Sequence, residues 1–226
     1  VKKAVKEVVT TVKKAVKAPK TKSQKGASYK LFTNYYGEGK LNAREFICRM
    51  IKLSGLHIGS ILCLPAAYCL LEIKIRKEIS KSFYFLACER NKSVFEQMVK
   101  SANEANLPMF FRPGDLSDAI YASTNDNYSH IILDYCGCLT TFKKEIEYIV
   151  KNNIVKVGGT IITTVLKARD EEIIKSTGIK SAPKGTSKTE LAVKKFFTGI
   201  KGYELMGTFL YNDSSPMMVV AIKRTK

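Results

Sequence analysis

The sequence predicts an α/β fold: a mostly parallel sheet with helices on both faces, closed by a C-terminal antiparallel hairpin and preceded by a basic N-terminal helical arm. Three observations carry this. Between residues 41 and 166, short apolar runs alternate with helical stretches of about ten residues, the pattern of βαβ units with right-handed crossovers. The last two strand-like runs are joined by the polar turn Asn212-Asp213-Ser214-Ser215, so they must pair antiparallel. Residues 1–30 hold ten lysines against a single acid, Glu7.

Each element follows from local pattern. In the arm, Val1, Val5, Val8, Val9, Val12 and Val16 recur at helical spacing between lysines. This reads as an amphipathic helix ending before Pro19. Globular composition begins at about residue 31, so the expected organisation is an arm (1–30) and one domain (31–226). Residues 41–53 (LNAREFICRMIKL) predict a helix with Asn42 as its N-cap. Strands are expected at 60–64, 83–88, 109–112, 130–134 and 160–166, with helices at 67–79, 92–104, 116–123 and 140–152 between them. A helix over 190–198 precedes the closing strands at 203–211 and 217–223. The loop 33–40 (TNYYGEGK), with two tyrosines and two glycines, reads as an approach turn or alternatively a lid or base-stacking surface, and 181–188 (SAPKGTSK) reads as a loop between the fifth and sixth strands.

Composition narrows the function. The net charge is +18, which calls for a polyanionic partner, and nucleic acid is the first candidate. The arm could also bind a protein partner or lie on an anionic surface. Six cysteines include no CxxC pair, and only two histidines occur, His57 and His130. No metal site is therefore expected. Cysteines within apolar runs suit a reducing intracellular compartment such as the cytoplasm, not secretion. The charge-free run 55–71 is short for a membrane span and contains Pro65, so no integral membrane association is expected.

In an open α/β sheet, ligands bind beyond the carboxyl ends of the strands. The first strand leads into Leu64, Pro65, Ala66 and Ala67, a segment without a glycine in which the small Ala66 and Ala67 partly keep the room. The second ends in Glu89-Arg90, and a carboxylate there can accept both hydroxyl protons of a ribose. The alternative for Glu89 is a surface ion pair with Arg90 or Lys92. The third leads into Gly114-Asp115-Leu116. Asp115 could accept from an adenine amino group while a following N–H meets a ring nitrogen, or it could simply cap the next helix. The fourth ends in Asp134-Tyr135-Cys136-Gly137. An acid closing an apolar strand at this edge is the leading candidate for function, and Tyr135 could stack on a flat substrate such as an extruded base.

In order and spacing, these strand ends resemble the class I S-adenosylmethionine (SAM)-dependent methyltransferases, a Rossmann-like family. The resemblance covers about residues 40–226 and includes the closing hairpin. It implies SAM as cofactor, held by Leu64, Pro65, Ala66, Glu89 (ribose), Arg90, Gly114, Asp115 (adenine), Leu116 and Asp134. It also implies catalysis at Asp134 and Tyr135. Asp-Tyr-Cys-Gly is similar to the fourth motif of enzymes that methylate base amino groups, but lacks their proline. The first motif departs further: the family has an acid and two or three glycines where this chain has Cys63-Leu64-Pro65-Ala66-Ala67.

The leading expectation is therefore a SAM-dependent methyltransferase acting on DNA or RNA at a base amino group. Cys136 as a nucleophile for cytosine carbon-5 is a minor reading, because its spacing from Asp134 is wrong for that chemistry. The chief rival is a methyltransferase-like fold without activity, serving as a nucleic-acid-binding or assembly protein in a viral or ribonucleoprotein particle. A small-molecule or protein methyltransferase is the third reading.

Overall fold

In the computed structural model the described residues are 37–168, 170–212 and 215–226, with the side chain of Cys136 left out. The arm and its predicted helix, and residues 31–36 with the first part of the approach turn, lie outside the described residues.

The elements in chain order are α1 (Glu38–Ser54), β1 (Gly59–Cys63), α2 (Leu70–Glu78), β2 (Phe83–Glu89), α3 (Lys92–Glu104), β3 (Met109–Pro113), α4 (Leu116–Tyr121), β4 (Tyr128–Gly137), α5 (Leu139–Lys151), β5 (Val155–Leu166), α6 (Glu171–Thr177), α7 (Lys188–Thr198), β6 (Tyr203–Asn212) and β7 (Pro216–Arg224). Seven strands form one sheet in the order β3-β2-β1-β4-β5-β7-β6. The pairs among β1 to β5 are parallel, whereas β7 is antiparallel to both β5 and β6. The chain thus passes one position beyond β5 to lay down β6 and returns through the hairpin to fill the gap.

Alternation along each strand separates two cores. Ile61, Ile132, Ile162, Val219 and Ala221 face α1 and α2. Leu62, Ile131, Leu133, Ile161 and Val220 face α4 to α7. A small cluster of Cys69, Ala87, Met98 and Ala102 seats α3 beside the first core. Burying such side chains contributes roughly 1.5–3 kcal/mol each, and this positions the strand ends that matter below. His130 is fully buried at the opposite edge, with Nδ1 2.9 Å from Thr160 Oγ1 and Nε2 2.8 Å from the Leu56 carbonyl. Burial lowers its pKa to about 4, so it is a neutral structural residue.

Several expectations are corrected. Asn42 lies inside α1, whose N-cap is Gly37; Glu38 in the first turn suits the positive helix end, and residues 38–40 of the approach turn are helical. The helix expected from residue 67 begins at Leu70, because Cys69 N–H bonds back to the Ala66 carbonyl at 3.0 Å and closes a turn first. Gly137 is the last paired residue of β4 rather than a tight turn. Helix α6 was not expected from periodicity. It carries short-range signals: the Asp170 cap accepting from Ile173 N–H, Glu171 and Glu172 in the first turn, and Gly178 in the left-handed conformation at the end. Seven residues are too few to show an apolar period.

No helix among the described residues is long and apolar enough to cross a membrane. Cys48, Cys63, Cys69 and Cys88 are buried free thiols, and burial pushes Cys48 up to about 12 and Cys88 up to about 11. Among the described residues no group of three or more His, Cys, Asp or Glu could hold a metal ion.

Candidate functional site

The carboxyl ends of β1 to β4 lie along one edge of the sheet, and the expected site residues divide there into two neighbouring groups.

The first group joins the ends of β2 and β3. Glu89 is half-buried, and its Oε1 accepts from Asn91 N–H at 2.6 Å. Its carbonyl accepts from Gly114 N–H at 3.1 Å, which ties the two strand ends together. Gly114 has φ +128, a conformation that a side chain would strain. Asp115 follows, at the N-cap position of α4, but its side chain makes no cap hydrogen bond. Instead Oδ1 lies 3.5 Å from Arg90 Nη1, both side chains being exposed. The capping alternative for Asp115 and the surface pairing of Glu89 are therefore not what the fold uses. Two carboxylates on adjacent strands remain at the rim. Leu116 contributes only its backbone here, since its side chain is buried in the core.

The second group surrounds a cavity of about 70 Å3 reached from the ends of β1, β4 and β5. Leu64 and Ala66 line it from the first loop and Asp134 from β4. Lys40 and Arg44 reach it from α1, and Glu72 from the first turn of α2. Pro65 is buried. Where glycines would let the backbone bend, the loop uses Cys69 at φ 49, a left-handed non-glycine residue held by full burial. That conformation costs about 1–2 kcal/mol.

Asp134 sits where β4 leaves its register. Leu133 pairs with Thr163, and the next pair is Gly137 with Val165. The extra residues bulge outward, a device that aims side chains at site rims. Asp134 is exposed at this bulge. Tyr135 departs from expectation. It turns to the opposite face, where its ring stacks on Phe142 with centroids 4.8 Å apart. Burial pushes its hydroxyl up to about 12. The ring is committed to the α5 side of the core and does not line the cavity, so it is not a platform for a base.

Glu72 was missed in the sequence. It is 2% exposed, and burial pushes its carboxyl up to about 7, against the pull of its own backbone hydrogen bond and of Arg44. The signal was a lone acid directly after a long apolar run. Lys40, Arg44, Glu72 and Asp134 thus bring two cations and two carboxyl groups to one small space, a set that can hold a group bearing both an ammonium and a carboxylate.

No family model matches the sequence, and no curated protein does either. Solved structures do match its fold. An O-methyltransferase from Bacillus cereus in complex with SAH is 14% identical, with 96% of this chain and 90% of that chain covered and a TM-score of 0.56. The O-methyltransferase TomG from Streptomyces achromogenes, involved in tomaymycin synthesis and solved with SAM, is 10% identical over 82% of this chain and 80% of that chain, with a TM-score of 0.56. A putative methylase from Haemophilus influenzae is 14% identical over 81% and 89%, with a TM-score of 0.54. The chain shares the fold of these methyltransferase structures, a seven-stranded sheet of order β3-β2-β1-β4-β5-β7-β6 with β7 reversed.

Proposed function

We propose that this chain is a SAM-dependent methyltransferase whose acceptor is a nucleic acid, methylated at a base amino group. The observation that carries the cofactor assignment is the pairing of Glu89 with an uncapped Asp115 across the Gly114 tie, beside a cavity of mixed charge. Glu89 would accept from the ribose hydroxyls and Asp115 from the adenine amino group. Glu72 and Asp134 suit the ammonium of the methionine end, and Arg44 and Lys40 its carboxylate. When bound, the cofactor supplies an electrophilic methyl group. The part of the protein is positioning: Asp134 and the Tyr135 carbonyl would orient an acceptor amine by taking its hydrogen bonds.

The net charge of +18 supports the nucleic-acid acceptor, since neutralised phosphates give affinity without sequence preference. A second reading, a small-molecule O-methyltransferase, is favoured by the names of the similar structures. Calorimetry with SAH on the wild type and on Glu89→Ala with Asp115→Ala tests the cofactor site. We expect micromolar binding that the double variant weakens at least 100-fold. A folded wild type that releases no heat would leave the inactive binding protein, a reading that the buried Pro65 and the small cavity would then explain. Methyl transfer from labelled SAM to RNA, DNA or small hydroxylated acceptors separates the substrate classes.

A further inference from the structure

Charge is spread unevenly over the domain. Residues 31–138 hold twelve Lys and Arg against eleven Asp and Glu, whereas residues 139–201 hold thirteen against six. The fold gathers part of this excess in one place. Helices α5, α6 and α7 bury Ile146, Ile149, Ile173, Ala192, Val193 and Phe197 in a common core, so their polar sides face outward together. Between them runs an open groove of about 680 Å3, lined by Lys143, Lys151, Lys195 and Lys201 with a single acid, Glu147.

The floor of the groove is apolar: Val150, Phe196 and Ile200 are half-buried. Lys143 is the one lysine already engaged, 3.5 Å from Glu147 Oε1 and 5.9 Å from the centre of the Phe196 ring. Lys151, Lys195 and Lys201 are exposed, and among the described residues they make no ion pair. Three uncompensated ammonium groups around an apolar floor repel one another, and a bound polyanion would relieve that cost. Lys143 lies one turn from the start of α5 and Lys151 at its end, so the cations extend along the helix for about 12 Å. A regular row of charges meets that shape better than a single compact anion does.

We propose that the groove between α5, α6 and α7 holds the phosphodiester backbone of a nucleic-acid strand, with sugars over Phe196 and Ile200. This rests on the nucleic-acid reading above and gives it a surface on the domain itself, apart from the arm. Helix α5 begins at Leu139, three residues past Cys136, and the groove follows its later turns from Lys143 to Lys151.

The test uses the full chain and a fluorescent single-stranded oligonucleotide of about 20 nucleotides, longer than one binding site. Anisotropy is read at several salt concentrations for the wild type, for Lys151→Glu with Lys195→Glu and Lys201→Glu, and for Lys77→Glu with Lys81→Glu and Lys100→Glu. Both triples change the charge equally, and the second lies on exposed positions outside the groove. We expect the groove triple to bind at least tenfold more weakly, with the salt slope reduced by about two, and the other triple to stay within threefold. Equal weakening by both triples would overturn the groove while leaving nucleic-acid binding intact. A wild type that binds no oligonucleotide would overturn the groove and the nucleic-acid acceptor together. Melting curves and SAH binding verify folding, and the corresponding Lys→Gln triple repeats the comparison if the Glu triple melts early.

Discussion

The two helical layers of the domain use charge in opposite ways. On the α1–α2 side, charges of both signs meet at one small cavity: Lys40 and Arg44 share it with the buried Glu72 and the exposed Asp134. On the α5–α7 side the core is mostly apolar, with the buried acids Asp170 and Glu190 among its polar exceptions, and lysines face outward into an open groove. A compact set of both signs suits a small zwitterionic ligand, because each charged group of the ligand then meets an opposite one. An open, one-signed set suits a long polyanion, because exposed charges keep their water until a partner arrives.

The largest effect that would sharpen this contrast is expected at Asp170, the internal anchor of the basic layer. It is 5% exposed, caps α6, and accepts from Thr140 N–H at 3.0 Å and from the Thr140 hydroxyl, joining the starts of α5 and α6. Asp170→Ala should destabilise the domain by about 3 kcal/mol in urea unfolding, since a buried charged acceptor of several hydrogen bonds is lost. SAH binding should survive if the two layers are independent, and its loss in a folded variant would break the comparison.

The next effect is at Glu72 and depends on pH. Its carboxyl is raised to about 7 by burial, above the ordinary glutamate value of the unfolded chain. The folded protein therefore bears no ionisation cost below about pH 4.5, an increasing cost as pH rises towards 7, and the full cost above that. Glu72→Gln should accordingly stabilise the fold by about 2 kcal/mol at pH 8 and by nothing at pH 4.5, while weakening SAH at both. A variant equally stable to wild type at pH 8 would remove Glu72 from the buried set. The smallest effect belongs to the exposed rim: Arg90→Ala, losing only a 3.5 Å pair of exposed groups, should shift stability by less than about 0.5 kcal/mol.

Much of this architecture is legible in the sequence. The alternation of apolar runs with helices yields the parallel strands, and the turn at 212–215 yields the hairpin, because both patterns are local. Glu89, Asp115 and Asp134 are visible for the same reason: each stands at the end of an apolar strand. Tyr135 is misjudged because position along a strand does not say which face offers a partner, and Phe142 supplies one on the core side. Glu72 is overlooked because its burial is created by α1 and β4, which are distant in sequence.

What the sequence determines by itself, then, is periodicity, charge and the order of the strand ends, since these depend on neighbours in the chain. Only the tertiary structure decides that β7 lies between β5 and β6. It alone places Lys40, Arg44, Glu72 and Asp134 around one cavity, and collects lysines from α5, α7 and the turn after α7 beside one groove. Those outcomes depend on which helix packs against which face of the sheet, and that choice is made by the complementary burial of Leu62, Ile131 and Ile161 on one side and Ile61, Ile132 and Ile162 on the other.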